Sequence, residues 1–100
     1  MASVLTKVEL LKAVGAEDLA DQALTKVMYI EIERLQQEQQ RLLTDLTRFE
    51  STYQMTSATC QHKFEMGELG DAVEFFEWTS LYAIYERNAH TLRLLEEQLQ

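Results

Sequence analysis

The side chains suited to nucleophilic or soft-metal chemistry are few: Cys60, His62 and His90. Cys60 and His62 stand two residues apart, which on a helix points them about 200° from one another, so they share no face. With no second cysteine and no pair of histidines at helical spacing, the inventory falls short of a zinc site within one chain. A nucleophilic Cys60 would need a basic neighbour, and only Lys63 stands near it. The bland reading, a small buried hydrophobe, is the stronger one. Five acids, Glu65, Glu68, Asp71, Glu74 and Glu77, recur every three residues with no base among them. Glu74 and Glu77 could neighbour one another on a helix and hold a hard cation. Capping and a solvated face explain the run more simply, and a protein-binding patch is the sharper alternative. Gly67 and Gly70 lie among these acids, which would repel a phosphate. The expectation is a protein that is not an enzyme and carries no cofactor and no metal.

The basic residues do not cluster. Arg34, Arg41 and Arg48 are spaced seven apart in a single row, with Lys26 beyond, and acids such as Glu38 and Asp45 stand close enough to pair with them. The aromatics are more pointed: Phe64, Phe75, Phe76, Trp78, Tyr82 and Tyr85 fall in one short stretch. They read first as the widest part of a core. Some of them, with the adjoining acids, could also form an interface hot spot, because Trp and Tyr carry disproportionate binding energy. The candidate partner-binding residues are therefore Glu68, Glu74, Phe75, Glu77, Trp78 and Tyr82.

The elements that must position these residues are helices. A 100-residue chain with three glycines and no proline lacks the turn residues that a sandwich or barrel consumes. Ala2 to Val14 reads as a short amphipathic helix or arm stopped at Gly15. A long helix follows over 16–53, with Glu17, Asp18 and Asp21 near its positive N-terminal end. Along it Met28, Ile32, Leu35, Gln39, Leu42, Leu46, Phe49 and Tyr53 make a heptad seam with one polar member, Gln39. A second long helix is predicted over 71–99, opened by a capping box from Asp71 to Glu74. Its seam is Trp78, Leu81, Tyr85, Asn88, Leu92, Leu95 and Leu99, again with one polar member, Asn88. The connector 54–70 holds a short helix capped by Thr56 or Ser57, with Cys60 and Phe64 inward, lying across Phe75, Phe76 and Trp78. The fold class is all-α, an antiparallel hairpin of two long helices in a single domain. Aligning Gln39 with Asn88 as a polar layer sets the register: Phe49 then faces Trp78, Leu46 faces Leu81 and Leu35 faces Leu92.

Nine basic against seventeen acidic residues give a net charge of −8. That balance disfavours direct nucleic-acid or membrane-surface contact and favours a basic protein partner. The single cysteine fits a reducing cytoplasm. No signal peptide or membrane-spanning run is read in the sequence. Two long seams with exposed flanks lead us to expect self-association as a dimer or higher oligomer.

The segments Phe49-Glu50-x-x-Tyr53, Met55-x-Ser57, Phe64-Glu65-x-Gly67-Glu68-Leu69-Gly70-Asp71 and Phe75-Phe76-Glu77-Trp78-x-x-Leu81-Tyr82 together resemble a motif of small acidic helical proteins of bacteria and archaea. Many of these are encoded beside a toxin and regarded as its antitoxin. The resemblance covers about a third of the chain. It implies a stoichiometric inhibitor that occludes a basic toxin. The alternative is a coiled-coil adaptor that only oligomerises.

Overall fold

The computed structural model describes residues 1–100 as four helices and no strand: α1 (Val4–Ala13), α2 (Glu17–Tyr53), α3 (Ser57–Glu65) and α4 (Val73–Glu97). Helix α2 has 37 residues. At about 1.5 Å of rise each it is nearly as long as the molecule, whose extents are 60 × 23 × 21 Å. The radius of gyration, 19.7 Å, exceeds the roughly 13 Å of a compact chain of this length. The shape is thus a rod with few interior positions, and only nine residues are buried. No helix is long and apolar enough to cross a membrane.

Helices α2 and α4 pack along the two seams, and α3 lies across α4 at the closed end of the hairpin. The buried seam residues Ile32, Leu35, Leu42 and Leu46 of α2 follow the heptad steps, as do Trp78 and Asn88 of α4. Phe49 stacks on Trp78 with ring centroids 5.4 Å apart and planes within 10°. Leu81 packs on the cluster built around Leu46. The register is therefore the one set by aligning the polar interruptions. At that level Gln39 and Asn88 do not bond each other. Gln39 Nε2 donates to the Tyr85 carbonyl at 2.9 Å, and Asn88 Nδ2 donates to the Glu38 carboxylate at 3.1 Å. Each amide reaches a neighbour of the other, because a long side chain crosses the seam at a slant.

The helix ends follow local chemistry. Ser3 caps α1 by accepting from the Thr6 amide, and Thr56 caps α3 by accepting from the Thr59 amide. Gly15 stops α1 at φ +85, where an L side chain is disfavoured. Helix α2 stops without a glycine: Gln54 itself takes the left-handed conformation, φ 55 and ψ 45.

The start of α4 corrects the sequence reading. Ala72 occupies the cap position with extended backbone, and no side chain caps the helix. Asp71 falls one residue too early, in the turn that follows Gly70. The Glu74 carboxylate does not fold back to the helix end either; it accepts the Tyr53 hydroxyl across the hairpin. The short N-terminal helix also packs less than its pattern suggests. Val8 and Leu11 are half-buried against α2, but Val4 and Leu5 stay exposed.

Candidate functional site

The aromatic residues converge at the corner where α2 ends and α4 begins. Trp78 is fully buried, 0% exposed, with Leu46 and Cys60. Around its indole lie Phe49, Tyr53 at 5.6 Å and Phe75 at 6.4 Å between ring centroids. Tyr53 and Phe75 also meet each other at 5.0 Å. Aromatic pairs of this kind contribute about 0.5–1.5 kcal/mol each beyond burial.

A buried indole N–H needs an acceptor. Here Nε1 donates to Ser57 Oγ at 2.9 Å, and the Ser57 hydroxyl and amide both donate to the Glu50 carboxylate, at 2.9 and 2.8 Å. Ser57 opens α3, so the Glu50 charge sits at the positive end of that helix. The relay Trp78 to Ser57 to Glu50 ties α4, α3 and α2 together. Ser57 lies seven residues from Glu50 and twenty-one from Trp78, a spacing that gives no sign that the three touch. A local clue existed: a serine at the first position of a capped helix has its amide free for a partner.

Trp78 must therefore be struck from the partner-binding residues, because it has no surface to offer. Phe75 and Tyr82 are half-buried against the same cluster, which limits them to partial contact. Burial, together with the negative charges of Glu86 and Glu50, pushes the Tyr82 hydroxyl above its usual pKa. Glu74 is exposed but held by Tyr53. Glu68 and Glu77 are exposed and in no ion pair, and so are Glu65 and Asp71.

Phe76 was expected beneath α3. It stands on the outside instead, 65% exposed. The 100° step between successive residues explains this: Phe75 and Trp78 turn toward α2 and α3, which carries Phe76 away from them. Val73, Phe76 and Glu77 share that outer face, and Val73 and Met66 are equally open to solvent. Phe64, Gly70, Asp71, Ala72, Val73 and Phe76 line a cleft of about 330 Å³ beside it. Gly67 and Gly70 turn the connector with φ of +73 and +74, and Gly70 is itself part of the cleft wall.

Elsewhere three basic side chains pair with acids, Lys12 with Glu17 among them, while Arg41, in the same row as Arg34 and Arg48, pairs with none. Arg34 bonds Glu31 and Glu38, and Arg48 pairs with Asp45. The hydrogen bond from Arg34 holds the Glu31 carboxyl below its usual pKa. No three His, Cys, Asp or Glu side chains gather as a ligand set.

Fold and site define an elongated all-α hairpin whose one corner combines exposed carboxylates with exposed apolar side chains. No protein-family model, curated protein or solved structure matches the chain.

Proposed function

We propose that the chain is a protein-binding helical module that captures a basic protein with its acidic, aromatic corner. One observation carries the reading. Phe76, Val73 and Met66 are exposed beside Glu65, Glu68, Asp71 and Glu77, and no basic residue lies between Phe64 and Tyr85. An exposed aromatic beside a cleft suits an anchor, and rim carboxylates suit steering of a basic partner. The net charge of −8 acts in the same direction. In its sharpest form, drawn from the family resemblance, the module is an antitoxin that covers the basic working surface of a toxin encoded beside it. The alternative adaptor reading draws on a different feature, the uncovered apolar side of α1 and α2.

The test reverses Glu68, Asp71 and Glu77 to Lys. Glu74 is left alone, because its bond to Tyr53 would confound binding with folding. Exposed charges of this kind change stability by less than about 0.5 kcal/mol each. Binding to the basic product of the neighbouring gene, titrated at low and high salt, is expected to weaken far more than denaturant stability does. A reversed variant that binds as tightly as the unaltered chain at low salt overturns the proposal.

A further inference from the structure

The end of the rod opposite the aromatic corner carries an apolar surface that the hairpin does not use. Helix α4 stops short of it: Glu96 and, past the helix end, Leu99 and Gln100 meet Tyr29, Ile32, Glu33 and Gln36 of α2 in an open groove. From Glu17 to about Val27, α2 has only α1 for a neighbour. In that stretch Ala20 alone is buried, and α1 has no buried residue. The two helices nevertheless expose large apolar side chains. Leu10, Val14, Leu19, Val27 and Ile30 are each between 59% and 68% exposed.

These residues are not scattered. On α1, Val8 and Leu11 mark the face turned toward α2, and to one side of it Val14, at the helix end, lies about a quarter-turn away and Leu10 somewhat more than a third of a turn. On α2, Ala20 and Leu24 line the contact with Val8 of α1. Leu19, Ala23, Val27 and Ile30 diverge from that contact in the same rotational sense. In an antiparallel pair, equal senses of rotation point to the same side. Leu10, Val14, Leu19, Ala23, Val27 and Ile30 therefore form one continuous face across both helices.

We propose that this face is the contact between two copies of the chain, which pair about a two-fold axis so that their α1–α2 hairpins form a four-helix bundle. The charge distribution selects a second copy. Residues 1–30 contain three basic and four acidic residues, a net −1, whereas residues 31–100 contain six and thirteen, a net −7. Two chains of this protein repel everywhere except at the near-neutral end that carries the apolar face. A two-fold axis across the helices sends the two acidic bodies in opposite directions, so the repulsion is least in that arrangement. The area is adequate as well. The five large side chains expose on the order of 500–600 Å², and their flanking stems bring each copy near the ~800 Å² that a stable interface takes from each partner. Each face is also flat and two helices wide, the geometry from which antiparallel bundles are built.

Sedimentation equilibrium of the full chain tests this. The unaltered protein should sediment at twice its 11.6 kDa chain mass at tens of micromolar. Leu19→Glu combined with Ile30→Glu should weaken dimerisation by at least about 100-fold and yield a monomer whose far-ultraviolet dichroism still reports helix. Phe76→Glu, at the other end of the rod, should leave the dimer intact. A monomer for the unaltered protein overturns the proposal. So does a dimer that survives the double substitution, or one that Phe76→Glu alone dissolves.

Discussion

Trp78 and Ser57 are joined by a buried hydrogen bond, Nε1 to Oγ at 2.9 Å, and that bond decides how three helices meet. The serine hydroxyl accepts from the indole while donating to Glu50, so its removal strands a buried N–H and takes one of two donors from a half-buried carboxylate. Ser57→Ala should therefore cost about 1–3 kcal/mol. Trp78→Phe in the Ser57→Ala background should cost less than in the unaltered chain, since the indole N–H is then no longer bonded. A double-mutant cycle from urea unfolding measures the coupling, and a coupling near zero would show the relay to be incidental.

Gln54 ends α2 in a backbone conformation that suits glycine. A side chain in the left-handed region costs roughly 1 kcal/mol. The Gln54 amide recovers part of that by donating to the Ser51 carbonyl at 2.6 Å. Gln54→Gly should stabilise the chain by several tenths of a kcal/mol, read as a higher denaturation midpoint with unchanged slope. A lower midpoint would mean that the amide bond outweighs the backbone strain.

The hairpin was legible in the sequence because period is a global signal. Eight seam positions of α2 must agree with seven of α4, and only one register matches both polar interruptions and apolar partners. The connector was legible for a similar reason, since Thr56, Gly67 and Gly70 each impose a local backbone state. What failed was detail at the α4 start. Asp71 and Glu74 have the spacing of a capping box, but a left-handed glycine immediately before Asp71 moves the turn by one residue. The candidate site was half legible. The acids from Glu65 to Glu77 are all exposed and Trp78 holds its seam place against Phe49, whereas Phe76 stands outward, because an aromatic-rich stretch does not say which of its flanking rings faces inward. The contact between Glu50, Ser57 and Trp78 depends on where α3 crosses the hairpin, which no local pattern encodes.

Gln39 sits in the seam at a cost. Its Nε2 bonds the Tyr85 carbonyl, but its buried Oε1 has no partner. The Tyr85 carbonyl lies in mid-helix and keeps its place in the α4 ladder without that bond. Gln39→Leu should thus be neutral or stabilising by up to about 1 kcal/mol, since it removes an unsatisfied buried acceptor and adds apolar burial. Register would then rest on the apolar partners and Asn88 alone. Thermal unfolding gives the stability, and a drop of more than about 1 kcal/mol would show that the amide contributes more than its single bond.

Cys60 provides a pH-dependent readout of the corner. Its side chain is fully buried beside Trp78, and burial raises the thiol pKa from its ordinary value of 9.0. The native state therefore favours the protonated thiol. This contribution to stability is complete below about pH 9 and is lost as the pH rises further, because the unfolded chain releases its proton first. Tyr82, raised from 10.0 by burial and by nearby carboxylates, acts in the same direction at higher pH. The urea midpoint should accordingly fall between pH 9 and pH 10. Cys60→Ala should flatten that fall, even though the smaller side chain lowers the midpoint at every pH through lost packing. The same burial predicts kinetics. A disulfide reagent should label native Cys60 only as fast as the corner opens, and label the unfolded chain at once. Rapid labelling of the folded protein at neutral pH, or an unchanged alkaline slope in Cys60→Ala, would contradict this account of the corner.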